Sequence, residues 1–159
     1  MKNAYFAGGC FWCITPVFAE LQGVLSVTSG YCGGDEISPC YEDVKEQKTG
    51  HRETIKIEYD ENRLSYSDLL HVFFENVDVT DGGGQYIDRG HSYTLAVYYT
   101  DDEEKETAKR MIKALGCEDT VSLEAYKRFY DAEEYHQNYY LKEPEKFKEE
   151  MKTSGRINK

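Results

Sequence analysis

The sequence predicts an α/β (α+β) fold, a mixed sheet with helices packed on it around a ferredoxin-like split βαβ core. Three observations predict it. Segments with strand and helix patterns follow the order strand, helix, strand, strand, helix, strand, which is that of the split βαβ sandwich. Glycines stand where two of the helical patterns stop, at Gly23 and Gly116. The 159 residues, 40% of them hydrophobic, suffice for one domain with a real core, so residues 1–159 are read as a single domain.

Asn3 to Ala7 reads as a short buried strand that ends in Gly8-Gly9. Phe11, Ile14, Val17, Phe18 and Leu21 then recur at helical spacing, to about Gln22. Pro16 is comfortable only in a first helical turn, which shifts the expected start of regular helix toward Trp12 to Thr15. Val24 to Tyr31 is rich in β-branched residues and predicts a second strand. Gly33 to Arg52 shows no clear period, and irregular stretches of that length inside a compact domain are usually functional. Glu53 to Tyr59 alternates as a third strand, with Ile55, Ile57 and Tyr59 on one face.

Ser65-Tyr66-Ser67-Asp68 has the form of a capping box for a helix whose apolar face holds Leu69, Leu70, Val72, Phe73 and Phe74. Asp78 to Ser92, with glycines 82 to 84, is a second irregular loop, and Tyr93 to Tyr99 a fourth strand. Thr100 with Glu103 is suited to cap a third helix that buries Ala108, Met111, Ile112 and Leu115. Val121, Leu123 and Ala125 suggest one more strand, followed by an aromatic, acidic segment and a weakly helical tail after Pro144. This topology predicts that the turn at Cys10, the long loop before Glu53 and the glycine loop before Tyr93 converge.

The formal charge of −11 and a pI of about 4.8 argue against nucleic acid or an anionic membrane as partner. Met1 to Phe6 runs straight into the first cysteine motif, which leaves no room for a signal peptide, and no apolar run is long enough to span a bilayer. A cytoplasmic or similarly reducing compartment is therefore expected, where five cysteines are catalytic, metal-binding or incidental rather than a disulfide framework.

Cys10 falls at a strand-to-helix turn, where unpaired N–H groups and the positive dipole end favour a thiolate. Cys13 follows about one turn on, within reach for a disulfide if the first turn relaxes. Phe11 and Trp12 between them suit an apolar substrate pocket. Glu53, set beside apolar Thr54-Ile55, is a candidate acid whose pKa rises if it is buried. Tyr41 and Tyr93 are hydroxyl donors in or beside the two loops. A sulfoxide fits this set. Its oxygen accepts protons from a carboxylic acid and phenols, and its electron-poor sulfur is open to a thiolate. The product on Cys10 is a sulfenic acid, which Cys13 converts to a disulfide for an external dithiol to reduce. Two other readings stand beside it: a general disulfide oxidoreductase on Cys10 and Cys13, and a zinc module on Cys10, Cys13, Cys32 and Cys40.

Ala7-Gly8-Gly9-Cys10-Phe11-Trp12-Cys13 resembles the signature of the A-type peptide methionine-S-sulfoxide reductases. The likeness continues through Gly30-Tyr31, Gly33-Gly34, Pro39, Tyr41-Glu42-Asp43-Val44, Thr49-Gly50-His51-Arg52-Glu53, Ser65-Tyr66, Leu69-Leu70, Asp88-Arg89-Gly90 with Tyr93, and Tyr135-His136-Gln137 with Tyr139-Tyr140. It runs from about residue 4 to residue 147 in family order.

The resemblance implies Cys10 as nucleophile, Glu53 as the acid for the sulfoxide oxygen, and Tyr41 and Tyr93 as hydroxyl donors. It implies Phe11 and Trp12 as the methyl pocket and Asp88 as a holder of the substrate backbone. It also implies action on the S epimer, free or in oxidised proteins, recycling by thioredoxin and no cofactor or metal; a monomer is expected. Many members carry a resolving cysteine in a Gly-rich C-terminal tail, but Met151 to Lys159 has none. Cys13, shared by some relatives, is then the first candidate resolver, Cys40 the second and Cys32 the third. Lys45 stands where relatives often carry another cysteine, and Cys117 is read as incidental.

Overall fold

The computed structural model describes residues 1–154. Six strands make one sheet: β1 (Lys2–Gly8), β2 (Val24–Cys32), β3 (Arg52–Tyr59), β6 (Leu95–Tyr99), β7 (Val121–Ala125) and β8 (Phe129–Asp131). Between β3 and β6, β4 (Gly84–Gln85) and β5 (Asp88–Arg89) pair as a separate small ladder. The large sheet has the order β7-β6-β1-β3-β2-β8 and is antiparallel except for the parallel β6–β7 pair. Its middle four strands, β6-β1-β3-β2, carry the antiparallel split βαβ arrangement that the element order predicts.

Helices α1 (Phe11–Ala19), α3 (Tyr66–Glu75) and α4 (Asp102–Leu115) contribute to one core with the sheet. Phe11, Ile14 and Phe18 of α1, Leu69, Leu70 and Phe73 of α3, and Ala108 and Ile112 of α4 pack with Phe6, Tyr31, Ile55, Ile57, Leu95 and Val97. Alternation along the strands sends the intervening residues to the other face. There Tyr5, Ala7, Cys32, Ala96 and Tyr98 form a smaller cluster under Tyr126 and Phe129, from the β7–β8 connection and β8. Tyr31 and its neighbour Cys32 therefore belong to opposite faces, which separates Cys32 from the α1 side.

The turn from β1 to α1 depends on two glycines for different reasons. A Cβ on Gly8 would lie 2.5 Å from Ile14 Cδ1 and 3.0 Å from the Phe73 ring. Gly9 adopts φ 90°, a conformation that side chains disfavour. Together they set the start of α1 directly against the end of β1.

Some boundaries differ from the sequence expectation. Helix α1 starts at Phe11 with Pro16 inside it, and ends at Ala19 rather than near Gln22. Proline removes one backbone donor there; the preceding Thr15 turns its hydroxyl to Phe11 O at 2.6 Å. The cap of α4 lies one residue further on than expected. Asp101 accepts the Glu104 N–H at 2.8 Å, and Glu104 accepts both the N–H and the hydroxyl of Thr100. Tyr93 closes a 3-10 turn, His91–Tyr93, and the strand begins at Leu95. The long loop contains a one-turn helix, α2 (Tyr41–Lys45). The C-terminal part adds α5 (Tyr139–Lys142) and α6 (Pro144–Ser154). Among the described residues no helix is long and apolar enough to cross a membrane.

Candidate active site

Cys10 is the N-cap residue of α1, half-buried and extended (φ −61°, ψ 120°), and its side chain makes no capping hydrogen bond. Cys13 is one helical turn on, and its N–H donates to Cys10 O at 3.1 Å. Both sulfurs are thiols. The net shift of Cys10 runs upward, against the lowering that a helix N-terminus alone suggests. The adjacent Cys13 thiol, burial, and the negative charges of Glu53 and Asp88 hold it well above the usual thiol value. These effects favour the thiol of Cys10 at neutral pH.

Glu53 lies in β3 beneath the start of α1 and is 1% exposed. Its Oε1 accepts the Phe11 backbone N–H at 3.2 Å, and the Tyr93 hydroxyl is a second donor to the buried carboxyl. Burial raises its pKa to about 8 against the opposing pull of the Phe11 N–H, and Asp88 adds to the rise. Near neutral pH the side chain is therefore mainly a neutral carboxylic acid.

Tyr41 opens α2. Glu133 fixes it by accepting its backbone N–H at 3.0 Å with one oxygen and the Tyr31 hydroxyl at 2.8 Å with the other. Tyr93 is set by its neighbour Ser92, whose N–H and hydroxyl bond the Gln47 side chain at 3.0 and 2.8 Å. Burial pushes both phenols above their ordinary pKa, and both remain hydroxyl donors through the neutral range.

The three loops line one cleft of about 250 Å³. Cys10, Trp12 and Cys13 come from the first turn, Tyr41 and Lys45 from α2, and Ile87, Asp88 and Tyr93 from the glycine loop; α6 adds Glu150 and Thr153. Phe11 is not on the wall. Its ring is 1% exposed and packs 5.9 Å from Tyr31 and 5.0 Å from His136, so its direct link to the site is the N–H given to Glu53. Trp12 alone of the aromatic pair faces the cleft.

The remaining cysteines are dispersed. Cys40 is exposed at the N-cap of α2. Cys32 is fully buried on the opposite sheet face, its thiol pushed up to about 12 by burial. Cys117 is buried after α4, where its sulfur points to Ile112 O. The four cysteines considered for zinc are not gathered, and among the described residues no group of three or more His, Cys, Asp or Glu is placed to hold a metal.

Sequence reasoning gave no role to His136, Tyr139, Glu133, Gln137 or Glu150. Trp12 Nε1–H donates to His136 Nδ1 at 2.9 Å, and Tyr139 stacks on the indole at 4.1 Å and 11°. Gln137 ties this segment to β2 through bonds of 2.9 Å to both the N–H and the O of Ser29. The aromatic run Tyr135 to Tyr140 was the one visible signal.

Burial lowers the His136 pKa to about 4, so the ring is neutral and Nδ1 free to accept at neutral pH. Because the unfolded chain takes up this proton near the ordinary value of 6.5, stability from the neutral ring is complete above that pH. It declines as pH falls toward 4. Emission from Trp12, the sole tryptophan, is expected to change with a midpoint near pH 4 in the folded protein, and His136→Gln to remove that step. An acid fluorescence titration of both proteins checks this.

The family model of peptide methionine sulfoxide reductase matches residues 2–159. The chain is 44% identical over 153 residues to the peptide methionine sulfoxide reductase MsrA of Streptococcus equi subsp. equi, spanning 92% of this chain and 90% of that one. It is 42% identical over 146 residues to the MsrA of Picrophilus torridus, spanning 89% and 82%. Among solved structures, reduced Mxr1 from Saccharomyces cerevisiae aligns with a TM-score of 0.81 at 26% identity, covering 91% of this chain and 86% of that one. Methionine sulfoxide reductase A of Corynebacterium diphtheriae aligns with a TM-score of 0.79 at 26% identity, covering 90% and 75%. Since the match takes in nearly the whole chain and the fold agrees, the chain belongs to the A-type peptide methionine sulfoxide reductase family, enzymes that reduce methionine sulfoxide.

Proposed function

We propose that the protein reduces the S epimer of methionine sulfoxide, free or in oxidised proteins, through a sulfenic acid on Cys10 and a Cys10–Cys13 disulfide that thioredoxin reduces. The observation that carries this reading is the buried, mainly protonated Glu53, which meets the Phe11 N–H and the Tyr93 hydroxyl and acts on Cys10. A buried carboxyl that keeps its proton near neutral pH suits an incoming oxygen.

In the proposed reaction the sulfoxide oxygen accepts a hydrogen bond and then the proton from Glu53, with the Tyr41 and Tyr93 hydroxyls as further donors. Protonation makes the substrate sulfur electron-poor, and Cys10 attacks it as its own proton returns to the Glu53 carboxylate. The hydroxyl then passes from the substrate sulfur to the Cys10 sulfur as the transient S–S bond breaks, so that Cys10 gives up the electron pair, becomes the sulfenic acid, and the neutral thioether leaves. Trp12 forms the apolar wall for the methyl group, Phe11 supports it from the core, and Asp88 holds the substrate backbone. The Cys13 thiol then attacks the sulfenic sulfur, releasing water and forming the disulfide.

Cys13 is favoured as resolver because it lies one turn from Cys10 and lines the same cleft. Cys40 is exposed and Cys32 lies behind the sheet. Two thiolates of thioredoxin reduce the bridge by exchange. Yeast Mxr1 is known in a complex with Trx2; at 19% identity the alignment to that structure speaks for the fold alone.

A single-turnover assay tests the proposal with separated S and R sulfoxides of a blocked methionine. Reduced enzyme without added dithiol is expected to release thioether from the S epimer only and to show a Cys10–Cys13 bridge by mass mapping. Cys13→Ser is expected to keep this first release but to lose at least tenfold in steady-state turnover with thioredoxin. Equal release from both epimers contradicts the stereochemical assignment, and a Cys10–Cys40 bridge moves the resolving role.

A further inference from the structure

The outer edge of the sheet carries a groove that shares no lining residue with the Cys10 cleft. Strand β7 ends the sheet order, with β6 as its one strand partner among the described residues. The Tyr126 N–H reaches back to Tyr99 O at 2.9 Å. Backbone groups alternate sides along a strand, so those of Ser122 and Glu124 also turn to β6, and those of Leu123 and Ala125 turn outward. Val121 faces out as well, but Cys117 O takes its N–H at 3.0 Å. Leu123 and Ala125 thus present donors and acceptors to a further strand.

Against this edge, α4 and β7 enclose a groove of about 420 Å³. Ile112, Val121 and Leu123 give it an apolar floor, and Lys105, Lys109 and Lys113 line it from α4. Their four-residue spacing sets the lysines on one flank of the helix. Among the described residues none of the three lysines is in an ion pair. Lys105 Nζ lies 5.5 Å from the centre of the Tyr99 ring. Glu118 is the one carboxylate in the lining; Asp102 and Glu106 of α4 stand outside it, and Glu124 is held by Arg52 at 2.7 Å. In a chain of formal charge −11 this flank is a local excess of positive charge.

We infer that this groove takes an extended acidic segment of a partner protein, added to the sheet beside β7 and reading acid-x-apolar-x-acid. The backbone of the segment pairs with Leu123 and Ala125. Side chains two residues apart share a face, so the apolar residue falls on the groove floor and both acids turn toward the lysines. The spans agree. Four strand steps carry the first acid about 13 Å from the second, and the helical path from Lys105 to Lys113 covers about 12 Å. A basic segment meets three like charges. A second copy of this chain, paired through the same edge about a two-fold axis, sets its own lysine row against this one. Lysines beside a bare edge guard it against self-pairing, and the same row selects an acidic strand. The inference does not depend on the chemistry at Cys10.

The test titrates a labelled, end-blocked peptide with Glu-Thr-Val-Thr-Glu at its centre against the full chain, by fluorescence anisotropy at low ionic strength. It is expected to bind about tenfold or more tightly than the same peptide with lysine in place of both glutamates, and to weaken as salt is added. Lys105→Glu combined with Lys113→Glu should lower its affinity about tenfold or more, in a variant whose thermal melt matches the wild type. On the wild type, amide exchange at Leu123 and Ala125 should slow when the peptide is bound. N-methylation of alternate peptide residues should abolish binding for one alternating set and spare the other, since only one set faces β7. No binding of the acidic peptide, equal binding of the basic one, unchanged exchange at the two amides or tolerance of both methylated sets would overturn the inference. So would a wild-type dimer in sedimentation that protects the same two amides.

Discussion

Cys10→Ser is expected to abolish methionine sulfoxide reduction, with a loss on the order of 10⁴-fold or more, the scale seen when a catalytic nucleophile is removed. A serine hydroxyl is a far weaker nucleophile toward sulfur and has no access to the sulfenic and disulfide states that carry the oxidation away. The substitution also separates chemistry from folding. Cys10 occupies the N-cap of α1 without making a capping bond. Serine is among the preferred N-cap residues, so the variant should be at least as stable as the wild type, with a gain of up to about 1 kcal/mol. Methionine release in single and multiple turnovers, with a thermal melt on the same samples, measures both quantities. Residual activity above about one part in a hundred in a folded variant would remove Cys10 from the nucleophilic role, given the expected scale of loss.

Much of the scaffold was readable because it is locally encoded. Alternating Ile55, Ile57 and Tyr59 announce a strand, Ser65 with Asp68 a helix start, and Gly116 at φ 67° a helix end. What depended on distant partners was not readable. Helix α2 is a single turn whose first N–H is held by Glu133, 92 residues away. Glu150 comes to the cleft because α6 folds back across it, and its weak amphipathic pattern says nothing of that destination.

Phe11 is instructive in another way. Its spacing with Ile14 and Phe18 already placed it on the core stripe of α1, and only its place beside Trp12 suggested a cleft wall. The state of Cys10 was not legible for a related reason. A helix start is visible in sequence, whereas the two carboxyls and the thiol gathered around it are a product of tertiary structure.

Glu53→Gln is expected to slow the formation of the sulfenic acid by about 10²–10³-fold, within the range for loss of a general acid. Glutamine can still accept the Phe11 N–H that Glu53 Oε1 accepts at 3.2 Å, but its amide does not protonate the sulfoxide oxygen. Reduction of a preformed disulfide by thioredoxin needs no such proton and should be little changed. The pH profile gives a second, independent readout. The wild-type single-turnover rate should fall as pH rises through about 8 and the acid is lost, while the slow rate of the variant should lack that limb.

Stability must move in the opposite sense. A carboxyl whose folded pKa is raised binds its proton more tightly in the native state. The Glu53 contribution to stability is therefore greatest below the ordinary value of 4.5, declines as pH rises toward about 8, and levels off beyond it. At about 1.4 kcal/mol per pKa unit, the burial of Glu53 costs several kcal/mol at the top of that window. Glu53→Gln should thus become progressively more stable than the wild type between pH 5 and pH 8, in urea titrations at each pH. A variant that loses activity while gaining pH-dependent stability identifies an acid kept in a costly place for its chemistry. A variant that loses both together would make Glu53 a structural residue.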